Sequence, residues 1–153
     1  MNKKKIVALI GLGYVGLPLF LLCSKQFKTI GFEIDKRKVR MLKNSISYIS
    51  DIKNNELRKI EKKNILSMDE IYEIKKCDYI ILCLPTPLKK NMPDMSAIQH
   101  VAKSIYPYLK KNQTIILESS VYPGATEKIF LNLLNKKFKI GKNFFLGYSP
   151  ERV

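Results

Sequence analysis

The apolar run Ile6-Val7-Ala8-Leu9-Ile10, followed at once by Gly11-Leu12-Gly13-Tyr14-Val15-Gly16, constrains this chain more than any other stretch. Five consecutive apolar residues before the first glycine read as a strand buried on both faces. The apolar residues 17–23 after the last glycine read as a helix. A G-x-G-x-x-G turn between strand and helix is a phosphate cradle. Gly11 permits the tight turn, Gly13 lets a pyrophosphate come close to the backbone, and Gly16 lets the helix pack on the strand. The helix start adds unpaired N–H groups and a positive dipole end.

Flavin-, nicotinamide- and other nucleotide-binding folds share that motif, so its context has to narrow the choice. Residues 28–33 read as a second strand ending in Glu33, 22 positions after Gly11. A carboxylate at this spacing accepts hydrogen bonds from the adenosine ribose and repels a 2′-phosphate, which favours NAD over NADP. Lys36, Arg37 and Lys38 follow and work against that preference. The alternative is a solvated strand-end glutamate with no ligand.

A length of 153 residues suits one domain with its own core. The apolar run of residues 17–23 is too short to span a bilayer, and the glycines interrupt any signal-like pattern, so no membrane association and a cytoplasmic location are expected. The net charge of +15 raises the question of nucleic acid. The lysines are spread along the chain rather than clustered, and no nucleic-acid-binding motif accompanies them. No specific nucleic-acid partner is expected. Cys23, Cys77 and Cys83 form no C-x-x-C pair and read as small apolar or buried residues rather than catalytic thiols. His100 has no ligand-like neighbours in sequence, and no metal site is expected.

The chain alternates strands and helices. Strands are expected near residues 4–10, 28–33, 64–67, 78–84, 114–118 and 144–148. Helices are expected near 14–24, 36–43 (N-capped by Asp35), 55–62, 69–74, 96–109 and 123–136. Residues 46–51 read as a loop. This order implies an α/β fold: a Rossmann-type doubly wound parallel sheet with helices on both faces, in one domain over residues 1–153. Ligands of such sheets bind beyond the carboxyl ends of the strands. Gly11 to Gly16, Glu33, Pro85-Thr86-Pro87, Glu118-Ser119-Ser120 and Ser149-Pro150-Glu151-Arg152 all fall on that edge.

At these residues the chain resembles the nucleotide-sugar 6-dehydrogenases, NAD-dependent enzymes that oxidise the C6 alcohol of a UDP- or GDP-sugar to a carboxylate. The matching segments are Gly11-Leu12-Gly13-Tyr14-Val15-Gly16-Leu17-Pro18, Leu84-Pro85-Thr86-Pro87-Leu88, Pro93-Asp94-Met95-Ser96, the stretch 116–127 containing Glu118-Ser119-Ser120-Val121-Tyr122-Pro123-Gly124, and Leu146-Gly147-Tyr148-Ser149-Pro150-Glu151-Arg152-Val153. The forms around Ser120 and Glu151 are most similar to the branch acting on UDP-N-acetylglucosamine or its manno epimer, used for surface polysaccharides.

The resemblance implies roles for individual residues. Gly11, Gly13, Tyr14, Val15 and Gly16 hold the pyrophosphate; Glu33 holds the ribose, where many relatives have Asp; Lys38 neighbours that ribose. Pro85 and Thr86 lie along the cofactor toward the nicotinamide. Ser120, where many relatives have Thr, places a hydroxyl near the nicotinamide and the catalytic water. Glu151 assists proton transfer or positions that water, and Arg152 contacts substrate or a partner subunit.

The family's long central helix, its nucleotide-sugar-binding domain and its nucleophilic cysteine have no counterpart in the 153 residues. That cysteine forms a thiohemiacetal on the path to the acid. The resemblance therefore implies the NAD-binding half of such an enzyme. It would be inactive alone and would take a UDP-sugar only with a complementary second domain, supplied by a companion polypeptide where one exists. The alternative is a non-catalytic NAD-binding or interaction remnant of a disrupted dehydrogenase gene.

Overall fold

A computed structural model of the chain describes residues 4–150. In chain order the elements are β1 (Ile6–Ile10), α1 (Gly16–Ser24), β2 (Lys28–Glu33), α2 (Lys36–Lys43), α3 (Asn54–Leu57), β3 (Ile65–Ser67), β4 (Tyr79–Leu82), β5 (Leu88–Lys89), β6 (Met92–Pro93), α4 (Ser96–Ile105), β7 (Thr114–Leu117), α5 (Ala125–Leu134) and β8 (Phe145–Tyr148). Six strands form one parallel sheet in the order β3-β2-β1-β4-β7-β8. The order reverses direction between β1 and β4, and that switch point opens a crevice at the carboxyl edge.

Strand alternation divides the core. Val7 and Leu9 of β1 face one side, packing with Leu12, Leu17, Phe20, Val39, Leu42 and Leu57. Ala8 and Ile10 face the other, with Phe32, Ile80, Leu82, Ile98, Ile105, Phe130 and Phe144. Helices α1 and α2 cover the first face, α4 and α5 the second. The doubly wound architecture read from the sequence is the one observed.

Three departures have local causes. The charged stretch expected as a helix over 55–62 forms only the single turn α3, followed by a 3₁₀ turn at Lys62–Asn64. It offers little beyond Leu57 and Ile60 to the core, too small an apolar face to hold a longer helix. Helix α4 stops at Ile105 rather than 109 because Pro107 forces a 3₁₀ turn at Tyr106–Tyr108. A β5–β6 hairpin, not expected from the sequence, turns on Lys90 and Asn91, both at positive φ (51° and 59°).

Candidate functional site

The carboxyl ends of β1, β2, β4 and β7 border a crevice of about 1220 Å³, which α4 closes on one side. Its floor is the glycine turn. Gly11 has φ +89°, and a Cβ there would lie 2.3 Å from the Cys83 carbonyl oxygen. A Cβ on Gly16 would lie 1.8 Å from the Gly11 carbonyl oxygen. These two glycines are therefore demanded by the fold itself. Gly13 differs: nothing lies within 4 Å of where its Cβ would stand, so its face is open to the crevice. The Gly11 N–H is held by the Phe32 carbonyl and the Leu12 N–H by Glu33, whereas the N–H groups of Gly13, Tyr14 and Val15 reach no acceptor among the described residues.

Glu33 ends β2 with only 4% of its surface exposed, yet it borders the crevice. It is not the solvated strand-end residue of the alternative reading. Its Oε2 accepts the Leu12 N–H at 3.0 Å and its Oε1 the Asp35 N–H at 3.0 Å. Each carboxylate oxygen has a further lone pair to offer. The cations that follow are largely engaged. Lys36 Nζ lies 2.6 Å from Asp69, and Arg37 binds both oxygens of Asp35. Lys38 is half-buried beside the crevice, with Nζ 5.2 Å from the Tyr48 ring centroid. Asp35 also N-caps α2 through the Arg37 N–H at 2.8 Å, and the Arg37 side chain is the main cause that holds its carboxyl down at about 2.

The opposite wall comes from the loops after β4 and β7. Ser119, buried between them, donates to the Leu84 carbonyl at 2.8 Å and accepts the Leu84 N–H at 3.2 Å. Thr86 Oγ1 donates to the Ser120 carbonyl at 2.8 Å. Pro85, Thr86 and Ser120 all line the crevice. Glu151 and Arg152 lie outside the described residues, but Ser149 Oγ donates to Glu118 at 3.0 Å, bringing the end of β8 to the carboxyl end of β7.

The structure thus brings Gly11, Gly13, Tyr14, Val15, Glu33, Lys38, Pro85, Thr86 and Ser120 to one crevice. Gly16 stands just behind it, packed on Gly11 and Cys83. The sequence reading missed two features. His100, singled out in the sequence only as lacking ligand-like neighbours, borders the crevice with Ser96, Ala97, Val101 and Ser104 of α4, as do Ile34 and Met68. The helical spacing from Ala97 to Val101 and Ser104 contained that signal. Tyr48, in the loop after α2, donates its hydroxyl to the Leu12 carbonyl at 2.5 Å, and no local pattern marks it.

Of the three thiols only Cys83, itself buried, borders the crevice. Burial pushes Cys77 up to about 12 and raises Cys23, and neither borders the crevice. An open backbone cradle, free N–H groups at a helix start and a carboxylate at the second strand end are the features a dinucleotide site uses.

Comparison with known proteins agrees with this geometry. Residues 5–153 match the model of the UDP-glucose/GDP-mannose dehydrogenase family, NAD binding domain. The protein CapL of Staphylococcus aureus is 36% identical over 156 residues, covering all of this chain and 36% of CapL. The UDP-N-acetyl-D-glucosamine 6-dehydrogenase of Salmonella typhi is 33% identical over 150 residues, covering 96% of this chain and 35% of that enzyme. Among solved structures, the UDP-D-ManNAc dehydrogenase of Pyrococcus horikoshii superposes with a TM-score of 0.87 at 26% identity, over 97% of this chain and 36% of that one. The chain spans about a third of the length of these relatives.

Proposed function

Because the chain belongs to the UDP-glucose/GDP-mannose dehydrogenase family as its NAD-binding domain, we propose that it is the cofactor half of a UDP-N-acetylhexosamine 6-dehydrogenase. The observation that carries this reading is the pairing of an open Gly13 cradle with Glu33 on one crevice. The substrate class rests on the relatives named for UDP-N-acetylglucosamine and UDP-N-acetylmannosamine.

Bound NAD supplies a hydride acceptor. The chain's own residues hold and orient it. Free N–H groups at residues 13–15 take the pyrophosphate, and Glu33 takes the ribose hydroxyls and disfavours a 2′-phosphate. Pro85, Thr86 and Ser120 shape the wall toward the nicotinamide. Ser120 provides a hydroxyl at that end, and Glu151 handles the proton or positions water. The sugar-binding surface and the nucleophilic thiol belong to a second domain, joined in the same polypeptide or a companion one. Without it the chain binds cofactor but does not turn over.

Calorimetric titration with NAD and NADP tests the reading, with Glu33→Ala as control. Saturable NAD binding, weakened at least tenfold by the substitution, is expected; no binding to a folded chain overturns it. Activity on UDP-N-acetylglucosamine or UDP-N-acetylmannosamine, but not on UDP-glucose, is expected once a nucleotide-sugar-binding domain is supplied.

A further inference from the structure

The Leu12 residue is gripped at both ends of its backbone. Its N–H is taken by Glu33 at 3.0 Å, and its carbonyl receives the Tyr48 hydroxyl at 2.5 Å. The second grip acts on the Leu12–Gly13 peptide plane. In a trans peptide the C=O and N–H of one plane point in opposite directions, and the structure has no cis peptide among the described residues. Fixing the Leu12 carbonyl toward Tyr48 therefore turns the Gly13 N–H the other way. Gly13 borders the crevice, and nothing lies within 4 Å of where its Cβ would stand. A hydrogen bond to the carbonyl also polarises the amide and strengthens its N–H as a donor.

Tyr48 is built to hold this position. Its loop is pinned by Ser47, whose N–H reaches Asn54 at 2.8 Å and whose hydroxyl bonds the Ile49 carbonyl at 2.8 Å. The ring packs against the core cluster under α1 and α2, and Lys38 lies over it. Burial, with the Glu33 and Asp35 carboxylates nearby, drives the hydroxyl well above the usual tyrosine range. It remains a donor at every physiological pH.

We propose that Tyr48 is a positioning residue for the pyrophosphate, orienting the Gly13 N–H before the cofactor arrives. It does not border the crevice itself. The inference rests on the NAD-binding reading.

The test compares Tyr48→Phe with the unaltered chain by calorimetry, using NAD, ADP-ribose and adenosine. A net loss of one such bond corresponds to about twofold to tenfold in affinity. That loss is expected for NAD and ADP-ribose, which carry the pyrophosphate, with adenosine unchanged. An equal loss for all three ligands, or none, overturns the proposal. If Tyr48→Phe does not fold, 3-fluorotyrosine at position 48 keeps the ring and strengthens the donor. Tighter NAD binding with unchanged adenosine binding is then expected, and equal NAD affinity overturns it. Failure of the unaltered chain to bind NAD would instead overturn the cofactor reading.

Discussion

Glu33 Oε2 sits 3.0 Å from the Leu12 amide nitrogen, so the residue assigned to the ribose also ties the glycine turn to the end of β2. The same carboxylate caps the Asp35 N–H. Ligand contact and turn geometry are joined in one side chain. Glu33→Ala is expected to cost about 1–3 kcal/mol of folding stability, because a buried N–H loses its acceptor. It should weaken NAD binding further than that structural loss alone explains. Denaturant melts beside calorimetric titration separate the two; a variant of undiminished stability would contradict the tie.

The three glycines of the turn should behave differently when replaced by alanine. Gly11→Ala and Gly16→Ala drive a methyl into backbone at 2.3 and 1.8 Å, and both should lower the melting temperature sharply or prevent folding. Gly13→Ala meets no atom within 4 Å and should fold as the unaltered chain does. In the proposed binding mode its methyl stands on the pyrophosphate face, so NAD affinity should fall at least about tenfold. Thermal melts and NAD titration of the three variants check this ordering.

The Asp35 carboxyl is held down at about 2, from a usual 3.8, chiefly by the Arg37 side chain. A folded-state value below the unfolded one means stability that is present above the unfolded value and lost as pH falls toward the folded one. The melting-temperature gap between the unaltered chain and Asp35→Ala should therefore be constant above about pH 5 and narrow down to about pH 2. A gap that widens on acidification would contradict the assignment.

Arg37 is bound by both oxygens of Asp35, and Lys36 by Asp69. Two of the three cations after β2 are thus engaged by carboxylates. Asp35→Ser keeps an N-cap for α2 while freeing Arg37. NADP affinity should rise several-fold with NAD affinity nearly unchanged, read by titration with both dinucleotides. No change in the NADP-to-NAD ratio would show that Glu33 alone sets the preference.

What the sequence made legible is what periodicity and glycine spacing encode. The buried strands, the glycine turn and Asp35 as the cap of α2 follow from local patterns, and each is observed. The element that failed, the charged stretch after residue 55, failed because charge gives helical composition without an apolar face. Lys90 at positive φ could not be foreseen, since lysine seldom marks such a turn. Tyr48 was invisible for another reason: its partner lies 36 positions away, and a tyrosine in a loop carries no signature of what it will touch. The helical spacing groups His100 with Ala97 and Ser104, but that this face borders the crevice follows from the sheet order, which spacing does not contain.

Ser119 both gives a hydrogen bond to Leu84 and takes one from it, while Thr86 reaches the Ser120 carbonyl. The loops after β4 and β7 are therefore stapled together at adjacent residues. The width of the crevice at that end is the distance between this stapled pair and the glycine turn. A group entering beside Ser120 meets a wall in which two loops, far apart in sequence, are bonded to each other at Leu84 and Thr86.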